Sequence, residues 1–161
     1  MADSNSNTNS VSSGVTTSSD SAYVLHPSDN PGISLVTQSL TGDNYATWCR
    51  AMHMALMAKN KFGFVDGTIR KPDSSDAKAS QWEQCNRMVY SWILNSMHHD
   101  IANSVMYAEK ASKVWSELND QMVMQFLMGL NESYNAICSQ ILLMDLLPTV
   151  SRAYSLLLQD E

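Results

Sequence analysis

Positive charge is what this chain has least of where it would matter most. No Lys or Arg precedes Arg50, which removes the charged opening of a secretory signal and the Arg-rich pattern of an organellar transit peptide. Cysteine is scarce: Cys49, Cys85 and Cys138 are odd in number and widely spaced, so neither a disulfide framework nor a C-x2-C zinc spacing is available. They read as reduced, packed thiols. Long hydrophobic runs are missing too. The longest, Ile137 to Val150, is interrupted by Asp145 and Pro148 and falls short of the about 20 apolar residues a membrane-crossing helix needs. These absences point to a cytoplasmic protein, with the nucleus as the alternative and no membrane partner. Gly42, Gly63 and Gly67 form neither a G-x-G-x-x-G nor a Walker-type spacing, so no glycine loop cradles a phosphate. Ten Lys and Arg against 16 Asp and Glu give a net charge of -6, which argues against nucleic-acid binding. The basic residues nevertheless gather at Arg50, Lys59, Lys61, Arg70, Lys71 and Lys78. After Lys113 only Arg152 is basic, so the C-terminal part is acidic.

What is present is enough for a core: 161 residues with 44% hydrophobic and 16% charged content. Residues 1–28 are dominated by Ser, Asn and Thr and are expected to be a disordered polar tail. Asp29-Asn30-Pro31-Gly32 is turn chemistry, and the β-branched alternation of Ile33 to Leu40 suggests a short extended arm. Thr41 to Asn44 offer a helix cap, and Tyr45, Trp48, Met52, Ala55 and Leu56 then form one helical stripe to about Lys59. Phe62 to Gly67 reads as punctuation. Asp73, Ser74 or Ser75 can cap a second helix with Trp82, Cys85, Met88, Val89, Trp92 and Ile93 on its apolar face. The stripe loses phase near Met97-His98-His99-Asp100, which predicts a break and a short helix to about Met106. Further helices are expected over Lys110–Leu118 and, separately, Met122–Leu130, where Gly129 is a stop signal. Helical spacing resumes from Tyr134 to Leu142, stops before Pro148, and returns at Tyr154, Leu157 and Leu158 behind a Thr149 or Ser151 cap. No βαβ rhythm or fixed repeat occurs, so the fold class is all-α.

Catalytic, cofactor and metal sites are not expected. His98, His99 and Asp100 are the one dense group of potential ligands, but neighbouring histidines on a helix point about 100° apart and should not chelate one ion together. His53 has no nucleophile motif beside it and reads as a surface residue. Eleven methionines, most of them in helical segments, suit either core filling or adaptable contact surfaces. The four tryptophans read as core anchors rather than a base-stacking platform, which would need a basic groove.

In chain order these landmarks resemble the N-terminal Gag region of plant copia-type LTR retrotransposons. Leu40-Thr41-Gly42-Asp43-Asn44-Tyr45-Ala46-Thr47-Trp48 is similar to the family's L-x-G-x-N-Y-x-x-W opening. Phe64-Val65-Asp66-Gly67-Thr68, Trp82, Trp92-Ile93-Leu94-Asn95-Ser96 and Val114-Trp115-Ser116-Glu117-Leu118 resemble the following blocks, and Phe126-Leu127-Met128-Gly129-Leu130 a downstream one. The resemblance implies a helical capsid-like bundle divided into a Gag N-terminal domain over residues 29–120 and a remnant of the downstream capsid block over 121–161. It implies signature or core roles for Leu40, Gly42, Asn44, Tyr45, Trp48, Gly67, Trp82, Trp92, Trp115, Leu118, Phe126, Leu127, Gly129 and Leu130. It also implies a structural, non-catalytic, self-associating homo-oligomer, with a domesticated adaptor presenting Met-rich grooves as the alternative. The family separates its V-W-x-x-L and F-L-x-G-L blocks by a long stretch, whereas here Val123 follows Leu118 almost at once. No zinc knuckle follows either, so the chain reads as an internally deleted Gag fragment for which nucleic acid is not an expected partner.

Overall fold

A computed structural model describes residues 21–159 of the chain. Among the described residues it is all-α, with α1 Tyr45–Ala58, α2 Gly63–Asp66, α3 Ala79–Asn95, α4 His99–Val105, α5 Ala111–Met128, α6 Asn135–Leu142 and α7 Val150–Gln159. A single 3-10 turn, Glu132–Tyr134, leads into α6. Strand pairing among these residues is limited to an isolated parallel bridge between Leu40 and Met97.

The first hydrophobic cluster collects the faces the 3.6-residue period predicts: Trp48, Met52 and Leu56 from α1, Trp82, Cys85, Val89, Trp92 and Ile93 from α3, and Ala111, Val114 and Leu118 from α5. Each fully buried aliphatic of this kind contributes about 1.5–3 kcal/mol. Phe64 and Val65 reach this core from α2, which packs on α3 and α5. The expected loop at Phe62 to Gly67 is therefore a helical turn, closed where Gly67 adopts the left-handed conformation (φ 79°) that glycine tolerates best.

Caps differ from the sequence expectation in two places, and a third cap comes from a distant element. The Asn44 side chain makes no cap bond to α1; it accepts from Thr41 N–H (2.9 Å) and donates to Ser39 C=O (2.9 Å), folding the turn before the helix. The second long helix begins at Ala79, later than Asp73 to Ser75 suggested, and Asp76 accepts from Lys78 N–H (2.8 Å) at its entrance. No side chain at the Lys110 cap position serves α5, and the buried amide of Asn86 does so from α3, accepting from Ala111 N–H (3.0 Å) and donating to Glu109 C=O (3.3 Å). This satisfies an orphan donor across two elements. Thr149 does cap α7, accepting from Arg152 N–H (3.3 Å).

The helices expected over Lys110–Leu118 and Met122–Leu130 are one helix. No Gly or Pro stands in Asn119-Asp120-Gln121, and the modest propensity cost of Asn and Asp, about 0.7 kcal/mol or less each, is smaller than the burial on either side. The C-terminal half of α5 gives Val123 and Leu127 to a second cluster, completed by Ile137 and Ile141 of α6 and Ala153 and Leu157 of α7. The boundary expected at residues 120/121 thus lies inside α5, with one cluster on each side of it.

One N-terminal expectation needs correction. Of the polar tail, residues 1–20 lie outside the described residues, but part of the stretch from Ser21 to Ser28 docks: Ala22 is buried, and Tyr23 and Leu25 are half-buried against the first cluster. Three apolar residues within a Ser-rich composition were enough to dock. The Ile33 to Leu40 arm leads to α1 with bends at 35–38, and Leu40, with its main chain hydrogen-bonded to Ser96 C=O and His98 N–H, is its anchored end.

Candidate functional site

Three of the four tryptophans act as pins between a helix and a loop. Trp48 Nε1 donates to Ser96 C=O (2.9 Å), Trp82 Nε1 to Ile69 C=O (3.1 Å), and Trp92 Nε1 to Asn30 C=O (2.8 Å). Each buries an aromatic body and fixes a loop carbonyl with its one polar atom, a division of labour that suits indole. Trp115, half-buried, stacks obliquely on Trp48 (5.6 Å) and meets Phe62 edge-on (6.1 Å), while Tyr45 stacks on Trp48 (6.2 Å). Leu40, Trp48, Trp82, Trp92, Trp115, Leu118, Tyr45, Gly67, Gly42 and Asn44 therefore gather around the first cluster or its turns. Phe126, Leu127 and Leu130 belong to the second, and Gly129 follows the end of α5 with an ordinary φ of -81°.

Among the described residues, the thiols and phenols whose ionisation is shifted move away from nucleophilicity. Burial pushes the Cys49 and Cys85 thiols up, and burial together with Cys49 pushes the Tyr45 hydroxyl up, all away from reactivity near neutrality. Cys49 and Tyr45 line a groove of about 660 Å³ between α1, α5 and the start of α7, with Phe62, Trp115 and Val150.

His98, His99 and Asp100 correct one geometric expectation. His98 sits before α4 in an extended conformation (ψ 144°), so its ring is not fanned 100° away from His99; the two centroids are 4.2 Å apart. One ligand atom from each of the three residues fits within 4.8 Å. All three side chains are exposed, and His99 Nε2 already meets Asp100 Oδ1 at 2.9 Å.

Sequence reasoning missed a second constellation. Lys61 is buried, and its Nζ donates to Ala22 C=O (2.8 Å) and Val24 C=O (2.7 Å). Lys59 pairs with the buried Asp29 carboxylate at 2.5 Å and lies 5.0 Å from the Trp92 ring. Burial opposes ionisation of Asp29, but the Lys59 hydrogen bond, the His26 N–H and the charges of Lys59 and Lys61 together hold its carboxyl below the usual value. Two members of the basic group between Arg50 and Lys78 are thus consumed by the fold, and Lys71 is paired with Glu83 (3.1 Å). The available signal was the Ala22, Tyr23, Leu25 apolar set just before the Asp29 turn.

The end of α6 and the turn after it are apolar and open. Leu142, the last residue of α6, and Leu143, Met144 and Leu146 beyond it have exposures of 47%, 84%, 42% and 87%, and Tyr154 and Leu158 of α7 are each 54% exposed.

Comparison with known proteins gives the same family twice. Residues 26–73 match the model of the Gag-polypeptide of LTR copia-type, and residues 52–121 match a second model of the gag-polypeptide of LTR copia-type. The chain is 26% identical over 98 residues to the retrovirus-related Pol polyprotein from transposon RE2 of Arabidopsis thaliana. That match takes in 55% of this chain and only 7% of the polyprotein. No solved structure matches. With the two models covering residues 26–121 and the tryptophan pins and Leu40 anchor falling inside that range, the chain is a Gag-like protein of the copia-type LTR retrotransposon family.

Proposed function

We propose that this Gag-like chain is structural and non-catalytic and acts by self-association, with the apolar face after α6 as its assembly surface. The observation that carries this reading is the succession Leu142, Leu143, Met144 and Leu146, left in solvent, with Tyr154 and Leu158 of α7 exposed as well. Apolar side chains grouped in this way are costly in water and mark interaction surfaces. The second cluster supports them from behind: α6 and α7 pack on each other, and α7 on α5. In this reading residues 29–120 are the Gag N-terminal unit, and 121–161 a shortened capsid remnant that completes itself against another chain. RNA binding is not part of it, because Lys59 and Lys61 are committed to residues 22–29. A cytoplasmic location follows from the same reading. No described helix is long and apolar enough to cross a membrane.

The test is light scattering on the full chain and on a Leu143→Glu, Leu146→Glu variant. Wild-type multimers that become monomers in the variant, with the melting temperature within a degree or two, support the proposal. A wild-type chain that stays monomeric at high concentration, or a variant that assembles equally, overturns it.

A second reading, an adaptor for a partner helix, draws on Met54, Met57, Met106, Met124 and Met128, all exposed on or beside helices. It predicts a monomer that forms a stable hetero-complex, and loss of that complex when the exposed Met124 and Met128 become Glu.

A further inference from the structure

The segment from Ser21 to Pro31 is held by the lobe in an unusual way. Side chains of the lobe donate, and the main chain of the segment accepts. Lys61 Nζ takes the carbonyls of Ala22 and Val24, Cys85 Sγ lies 3.2 Å from Tyr23 C=O, Trp92 Nε1 takes Asn30 C=O at 2.8 Å, and Asn95 Nδ2 takes Pro31 C=O at 2.5 Å. Two side chains of the segment add selectivity: Asp29 on Lys59, and Tyr23 edge-on to Phe64 (6.1 Å). Between the α1–α2 connection and α3 the lobe therefore holds a length of peptide backbone with an aromatic residue near one end and a carboxylate near the other.

The occupant is tethered by residues 32–39. These contain no helix or strand; Leu35 and Val36 are half-buried, the others exposed, and the chain is fixed again at Leu40 by main-chain bonds to Ser96 and His98. Eight residues span up to about 26–29 Å when extended. We propose that this site also takes the Ser21–Pro31 segment of a second copy of the chain, so that neighbouring copies exchange N-terminal segments.

The physical case is that every contact named above is the same whether the segment comes from its own lobe or from an identical one. The balance between the two is then set by the tether and by local concentration, as in other domain swaps. Assembly raises that concentration. Reciprocal exchange closes a dimer, whereas one-way donation links copies in series. The inference goes beyond the assembly reading, standing on different residues, and either can fail without the other.

The Lys59 and Asp29 pair reports the exchange without any mutation. Equal amounts of unlabelled and 15N-labelled full chain are incubated together across a concentration series and coupled with a carbodiimide, which joins an amine to a carboxylate in contact. The linked Lys59–Asp29 peptides are then weighed, with light scattering run in parallel. Mixed-isotope pairs that rise with concentration toward about half of all linked pairs, the random limit for equal mixing of swapped copies, support the proposal. Isotopically pure pairs overturn it. If multimers are present alongside pure pairs, assembly survives and exchange does not; if no multimers form at any concentration, both readings fall.

Discussion

Leu118 and Val123 lie on the same uninterrupted helix, little more than a turn apart, yet their side chains enter different hydrophobic clusters. At about 100° per residue they point roughly 140° apart around the axis. The buried stripe of α5 thus changes sides near Asn119-Asp120-Gln121. The helix couples the clusters mechanically without merging them into one core.

That arrangement predicts the behaviour of a helix breaker at the crossing point. Asp120→Pro should cost about 3 kcal/mol or more locally, by removing a backbone bond and clashing with the preceding turn. Calorimetry should then show two transitions for the variant where the wild-type chain is expected to show one. A single transition merely shifted down would mean that the clusters fold as one unit.

The N-terminal segment gives a second expectation. A chain beginning at Asn30 should melt below one beginning at Ser21, because it loses the buried Ala22, takes Tyr23 and Leu25 off the cluster and removes both carbonyl acceptors of Lys61 Nζ. Leaving a buried donor unpaired costs about 1–3 kcal/mol, and a domain of this length shifts by about 2–4 °C per kcal/mol. Equal melting temperatures would show that the segment does not contribute.

Trp92 is the residue on which that segment and the core converge. Trp92→Ala should cost about 3–5 kcal/mol, as for other buried tryptophans. Trp92→Phe keeps most of the packing but removes the donor to Asn30 C=O, so its cost should be nearer 1–3 kcal/mol. Urea titrations of the pair should rank them in that order.

Acid should act through Asp29. Its folded carboxyl lies below the ordinary value of 3.8, so the stability it contributes is complete above that pH and is lost as the pH falls through the folded value. Asp29→Asn should therefore be less stable than wild type at neutral pH, and the two melting curves should converge below 3.8. Curves that remain parallel through that range would remove Asp29 from the account.

Gly67 and Gly129 should respond differently. Gly67 has φ 79° with open space around it, so Gly67→Ala is penalised by backbone conformation alone, at about 1–2 kcal/mol. Gly129 has φ -81°, and an added Cβ would meet Phe126 C=O at an ordinary 3.5 Å, so Gly129→Ala should stay within about 0.5 kcal/mol. Thermal melts of the two variants decide the matter.

The sequence by itself determined the helical class, the inward stripes of α1 and α3, the break at Met97-His98 and the family, because helical periodicity and the order of short motifs are local properties of the chain. Tertiary structure decided the rest. Whether Lys110–Leu118 and Met122–Leu130 were one helix or two depended on clusters that α3, α6 and α7 complete from far away in sequence. The cap of α5 comes from Asn86, which no local pattern around Lys110 contains. The Ser-rich stretch before Asp29 looked too polar to fold, and its few apolar residues dock because Lys61 and Cys85 meet its carbonyls while Lys59 holds the Asp29 carboxylate and Trp92 the Asn30 carbonyl just after it. Composition counts what a segment can bury by itself, whereas docking depends on donors that only the folded chain brings together.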